Sequence, residues 1–161
     1  MKTLNLTTKI NVYTFDEASE SIKKLIEAAK SATKTAYAPY SEFCVGAAVM
    51  LDNGKIITGS NQENAAYPSG LCAERVAIFS ANAQYPNKGM DAIAIAAFNK
   101  GDFTNVPCCP CGSCRQVMAE VESRYNKKVK IIMYGKSEIY EVDSIDALLP
   151  LSFGKESLSD I

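Results

Sequence analysis

Three cysteines and one glutamate are the residues of this chain with the types and spacing to do chemistry. Pro110-Cys111-Gly112-Ser113-Cys114 contains a C-x-x-C, and Cys72-Ala73-Glu74 adds a third thiol with an acid two residues on. Histidine is absent from all 161 residues. That removes imidazole bases, Ser-His and Cys-His nucleophile pairs and histidine metal ligands. Chemistry must run on carboxylate, thiolate, hydroxyl or metal-activated water.

A C-x-x-C alone serves thiol redox sites as well as zinc sites. A redox pair is expected after an early strand of a βαβ unit, whereas this one lies late, with its third cysteine far upstream. Cys72 and the Cys111/Cys114 pair both read as helix openings, where the helix dipole favours anions and lowers thiol pKa values. Three thiolates around Zn²⁺ leave one tetrahedral position for water, the catalytic arrangement. A fourth thiolate from Cys108 or Cys109 would close the site into a structural one, and spacing alone does not separate the two. Glu74 favours catalysis, because a carboxylate beside metal-activated water takes its proton and passes it on. The plainer role for Glu74 is a first-turn acid that suits the helix dipole. Three thiolates against one Zn²⁺ carry net −1, so donors to sulfur are expected. Arg75 and Arg115, which directly follow Glu74 and Cys114, are the candidates.

These residues need a scaffold, and the chain reads as one domain, 1–161, with residues 1–13 as an N-terminal extension holding at most one irregular strand. The 47% hydrophobic and 22% charged composition is that of a soluble globular domain. Net charge −1 argues against a nucleic-acid polymer or a membrane bound through bulk charge. The longest apolar run, Ala92 to Phe98, falls far short of the roughly 20 residues that span a bilayer. The N-terminus lacks the hydrophobic stretch of a secretory signal. A cytoplasmic location follows as the expectation, and in that reducing compartment the six cysteines are not a disulfide framework.

Thr14 and Glu17 fit a capping box, followed by Ile22, Leu25, Ile26 and Ala29 at helical spacing and a stop before Pro39. Cys44–Leu51 and Lys55–Gly59 flank Asn53-Gly54, a hairpin signal. A polar loop, Asn61 to Gly70, leads into a helix over 72–83, with Val76, Ala77 and Phe79 as its apolar residues. Asp91–Phe98 reads as a strand covered on both faces. Cys111–Tyr125 reads as loop into helix with Val117, Met118 and Val121 as its buried stripe. Val129–Tyr134 and Ile139–Val142 follow as antiparallel strands, and Asp143 or Ser144 caps a last short helix that Pro150 ends. This order predicts a three-layer α/β/α fold on a five-stranded mixed sheet.

Cys72-Ala73-Glu74-Arg75 together with Pro110-Cys111-Gly112-Ser113-Cys114-Arg115-Gln116-Val117 resembles the zinc-dependent cytidine deaminases, in their small, all-cysteine, homotetrameric branch. The resemblance extends to Tyr37–Phe43, Val45–Ala48, Asn61–Tyr67 and Leu148–Phe153, and covers about Ser21 to Leu158 in order. It implies one Zn²⁺ per subunit on Cys72, Cys111 and Cys114, with Glu74 as proton shuttle. It implies that Asn61 and Glu63 hold the ribose, that Phe43 packs on the pyrimidine and that the backbone at Ala73 meets the base's polar edge. Phe153 is implied to reach a neighbouring subunit's site, and Tyr67 to approach the nucleoside similarly. The implied reaction is hydrolysis of cytidine and deoxycytidine to uridine and deoxyuridine, with release of ammonia. A blasticidin-like aminopyrimidine nucleoside, a non-catalytic structural zinc module and a thiol redox protein stand as alternatives. Cys44, Cys108, Cys109 and the N-terminal extension have no match in the resemblance.

Overall fold

The structure, a computed structural model, describes residues 1–158. Seven strands form one sheet: β1 Asn11–Tyr13, β2 Cys44–Leu51, β3 Ile56–Ser60, β4 Met90–Asn99, β5 Asp102–Phe103, β6 Lys130–Tyr134 and β7 Ile139–Val142. Their spatial order is β1-β7-β6-β4-β2-β3, with β5 folded back on β4. Only the β4–β6 pair is parallel; the other pairs are antiparallel. The three helices are α1 Glu20–Ala32, α2 Ala73–Gln84 and α3 Gly112–Tyr125.

β4 shows how the layers are specified. Its odd residues Ile93 and Ile95 join the core formed with α2 and α3. Its even residues Ala92, Ala94 and Ala96 join the core under Leu25, Ile26 and Ala29 of α1. Alternation by two sends successive side chains to opposite faces, and with both faces covered the strand reads as an unbroken apolar run. α1 therefore packs on a stripe of alanines, and α2 and α3 on branched side chains. The result is the expected α/β/α sandwich.

Four details differ from the sequence reading, each for a local reason. The sheet has seven strands rather than five. β5 exists because Lys100 (φ 52°) and Gly101 (φ 87°) both take positive φ, the requirement of a two-residue hairpin turn. β1 exists because part of the N-terminal extension pairs with β7, while the Tyr13 hydroxyl donates to the buried Glu141 carboxylate. Lys130 Nζ reaches the same carboxylate at 2.5 Å.

The N-cap of α1 is Ser19, whose Oγ accepts from the Ile22 amide at 3.4 Å. The Thr14–Glu17 pair forms too, with Glu17 accepting from the Thr14 amide and hydroxyl at 2.8 Å each. It closes the turn before the helix instead of starting it. The last helix is reduced to a 3-10 turn, Ile145–Ala147, since Pro150 follows so closely that residue 149 is steered out of the α region. On α2, Phe79 is 47% exposed; the buried face is Ala73, Glu74, Ala77, Ile78 and Ala81.

Gly59 on β3 sets how closely α2 lies on the sheet. A Cβ there would sit 2.4 Å from the Ala77 nitrogen and 2.8 Å from the Ala73 carbonyl oxygen. Both obstacles are backbone and cannot swing aside. Gly59→Ala is expected to lower stability by about 1–3 kcal/mol, read as a drop in the denaturant midpoint. An unchanged midpoint would contradict the close approach.

Candidate active site

α2 and α3 both begin at a cysteine. Cys72 is the N-cap residue of α2 and Cys111 that of α3, each in extended conformation, and neither side chain caps the amides of its own helix. Both sulfurs are thus free to face away from the helix axes. Cys114 lies in the first turn of α3 and is fully buried. Cys72 Sγ is 3.7 Å from Cys111 Sγ, and Cys111 Sγ is 3.5 Å from Cys114 Sγ. All three lie within 4.8 Å of one another.

Tetrahedral zinc with sulfur ligands at about 2.3 Å needs S···S edges of about 3.8 Å. Both distances from Cys111 are close to that spacing and the third pair lies within 4.8 Å, so the donor set fits zinc in chemistry and in the distances of its ligand atoms. Cys108 and Cys109 line the same cleft. Neither belongs to the sulfur cluster, which among the described residues contains Cys72, Cys111 and Cys114 alone.

The cluster distributes charge unevenly. A hydrogen bond from Cys114, aided by Arg75 and Cys111, pulls the Cys72 thiol down to about 5 against the opposing effect of burial. Cys114 is pushed upward by the same bond with Cys72 and by burial. Arg75 supports the anion, with Nη2 at 3.8 Å from Cys72 Sγ and 3.5 Å from the Gly70 carbonyl.

Arg115 does something different from the expected donation to sulfur. Its Nε donates to the Pro110 carbonyl at 2.8 Å and its Nη1 to the Leu148 carbonyl at 2.7 Å. The half-buried side chain bridges these two carbonyls.

Glu74 is buried, 4% exposed, and lines the cleft beside Cys72 and Cys108. Burial raises its proton affinity above the usual carboxylate range, with the nearby Cys72 adding to the effect. Glu74 is a first-turn acid of α2, and it is also buried against the cleft.

The cleft has a volume of about 810 Å³. Besides Cys72, Cys111 and Glu74 it is lined by Phe43, Asn61, Glu63, Tyr67 and Ala73, all singled out in the sequence, while Cys114 lies buried behind the lining against the other two sulfurs and Phe153 lies elsewhere. Phe153 lies on the outer side of α3, 60% exposed, with its carbonyl accepting from Gln116 Nε2 at 2.8 Å.

The Asn61 side chain spans two backbone groups. Its Oδ1 accepts from the Val45 amide at 2.7 Å and its Nδ2 donates to the Phe43 carbonyl at 2.9 Å, which fixes the segment carrying the Phe43 ring. Glu63 accepts from the Tyr40 amide at 2.9 Å, the Ser41 amide at 3.3 Å and the Ser41 hydroxyl at 2.5 Å. The Ser41 hydroxyl bond and then the Tyr40 amide hold its carboxyl below the ordinary range. A carboxylate accepts about four bonds, so one position of Glu63 stays available, as does one Asn61 N–H.

Sequence reasoning gave no role to Ser41, which connects Glu63 to the Phe43 amide through its Oγ at 3.1 Å. It lay inside a recognised motif, but nothing in its type marked it. Tyr40 was likewise unassigned; its ring meets that of Tyr67 edge-on at 6.3 Å.

Residues 19–133 match the family model for the cytidine and deoxycytidylate deaminase zinc-binding region. A cytidine deaminase of Sporosarcina psychrophila is 39% identical over 138 residues, 86% of this chain and 95% of that protein. One from Halalkalibacterium halodurans is 41% identical over 136 residues, 84% and 96%. The crystal structure of a cytidine deaminase from Burkholderia pseudomallei superposes with a TM-score of 0.70 at 40% identity, covering 81% of this chain and 98% of that one.

Removing the Asn61 amide would leave the Val45 N–H and Phe43 C=O without their partners. Asn61→Ala is expected to lower stability by about 1–3 kcal/mol. A melting curve indistinguishable from wild type would show that the bridge is dispensable.

Proposed function

The chain belongs to the zinc-dependent cytidine deaminases, and from that premise we propose that Glu74 is its proton shuttle, working beside a zinc held by Cys72, Cys111 and Cys114. The family membership makes the activity hydrolytic deamination of cytidine. One observation carries the assignment of residues: the sulfurs of Cys72, Cys111 and Cys114 cluster within 4.8 Å of one another at a cleft that Cys72, Cys111 and the buried Glu74 line. A structural zinc module would close its fourth position with protein, and a redox pair would not enlist Cys72.

Zinc, when bound, supplies the Lewis acidity that lets water lose a proton near neutral pH. Glu74 takes that proton while the water oxygen adds to C4 of the pyrimidine. It returns the proton to N3, which receives the electron pair of the C4=N3 bond. Glu74 then carries the remaining water proton to the exocyclic nitrogen, the C4–N bond breaks and ammonia leaves. The C4=O bond forms as N3 keeps its hydrogen, which completes uridine. Arg75 holds charge at Cys72 throughout.

Phe43, fixed through Asn61, would pack on the base, and the backbone at Ala73 would meet its polar edge. The spare Asn61 N–H and Glu63 acceptor position would take ribose hydroxyls. Deoxycytidine fits the same reading, because part of that grip falls on the sugar's other hydroxyls. Arg75 is the cleft's one lining cation among the described residues, and it is engaged by Cys72 and Gly70. A 5′-phosphate would meet no uncommitted cation there, which supports the free nucleoside as the substrate.

Two further parts of the reading concern assembly and place. We infer a homotetramer in which Phe153 serves a neighbouring copy's cleft; its exposed position outside its own cleft supports this. Among the described residues no helix is long and apolar enough to cross a membrane, and a cytoplasmic location is the proposal that goes with salvage of free nucleosides.

Glu74→Gln is expected to keep one zinc per chain and a wild-type fold while turnover of cytidine falls about 10²- to 10⁴-fold. Ultraviolet absorbance of cytidine, with metal analysis of the same sample, reads both. Near-wild-type turnover would reject the shuttle. Chelator treatment should abolish the absorbance change and added zinc restore it. Cytidine and deoxycytidine should react far faster than CMP, and a preference for CMP would overturn the substrate assignment.

A further inference from the structure

Of the three sulfurs, Cys111 is the exposed one, and it sits at the end of a loop rather than inside a helix. The loop is nevertheless anchored. The Pro110 carbonyl accepts from Arg115 Nε at 2.8 Å. That carbonyl belongs to the same planar amide as the Cys111 nitrogen, so fixing it fixes the direction in which the chain enters Cys111. From the other side, the Cys111 carbonyl accepts from the Arg115 backbone amide at 2.9 Å. One residue thus holds the peptide groups both before and after the exposed ligand.

The far end of the Arg115 fork, Nη1, is seated on the Leu148 carbonyl at 2.7 Å. Leu148 follows the 3-10 turn Ile145–Ala147 and packs with its neighbour Leu149 against the α2/α3 core. The turn is braced in turn by Glu122 of α3, which accepts from the Ile145 amide at 3.0 Å and the Ser144 hydroxyl at 3.0 Å. Among the described residues no carboxylate pairs with Arg115. A cation near a helix N-terminus opposes the dipole, so its position is not explained by helix electrostatics. The planar guanidinium reaches the two carbonyls from separate nitrogens in a fixed fork, whereas an ammonium would have to reach both from one point.

We propose that Arg115 is a positioning residue that locks the Cys111 loop to the C-terminal turn at Leu148 and thereby slows loss of the metal. This rests on the reading of Cys72, Cys111 and Cys114 as zinc ligands. Its action is on the peptide groups around Cys111, not on sulfur.

The test measures zinc transfer from the purified holoenzyme to an excess of a chromophoric chelator. Arg115→Met is expected to release zinc at least tenfold faster than wild type with an unchanged far-ultraviolet circular dichroism spectrum. Its KM for cytidine, measured with zinc in excess, should stay near wild type. Arg115→Lys keeps the charge but replaces the two-nitrogen fork with a single nitrogen, and should also release zinc faster than wild type. It serves as the reporter if the methionine variant does not fold. Gln116→Ala frees only the Phe153 carbonyl and should release zinc at the wild-type rate. Wild-type release from the Arg115 variants, or equal acceleration by Gln116→Ala, would overturn the proposal. A wild-type protein that binds no zinc would instead overturn the assignment of the ligands, so the two failures are distinguishable.

Discussion

The site depends on the convergence of two helix openings. α2 and α3 present their N-termini to one another, and each is preceded by a cysteine in extended conformation. Thiols placed there meet the positive ends of two dipoles and no competing demand from the helices' own amides. A metal with three thiolate ligands needs that concentration of positive potential, since the ligands' charge exceeds that of the ion. Arg75 adds a further cation beside Cys72. The sandwich serves this convergence: α2 rests on Gly59 at backbone contact, and α3 spans the crossover between the parallel strands β4 and β6.

The substrate end of the cleft is built by a different kind of force. There, side chains bond backbone to hold loops in shape: Asn61 across Phe43 and Val45, Glu63 across Tyr40 and Ser41. Each lines the cleft and keeps spare hydrogen-bonding capacity. The same groups can thus shape the loops in the free protein and meet a polar ligand when one arrives, so little reorganisation is needed on binding.

Much of this was legible from residue types. Three thiols, one acid and no histidine left few chemical options, and β4 announced its central position by an uninterrupted apolar run. The hairpin at Asn53-Gly54 was legible for the same reason: Gly54 takes φ 78°, as the turn requires. What escaped was whatever depended on distant partners. Lys100-Gly101 carries no strong hairpin signature, and β1 becomes a strand only because β7 offers an edge. Arg115 looked like a donor to sulfur from its place in the sequence. One of its two carbonyl partners, that of Leu148, lies 33 residues away and is set by how the C-terminal turn packs. Phe79 fits a helical apolar pattern, yet its face of α2 points outward, because Ala73 and Ala77 are the residues small enough to sit against Gly59.

The alanine stripe of β4 has an implication for how such a chain can diverge. On the α1 side, Ala92, Ala94 and Ala96 are buried under Leu25, Ile26 and Ala29, so a larger residue there must find its volume against the helix. On the opposite side, isoleucines and methionines can exchange volume among themselves while the layer spacing holds. Sequence drift should therefore accumulate unequally across the sheet. It would be rapid among the branched residues behind the site and nearly frozen along the small-residue seam remote from it.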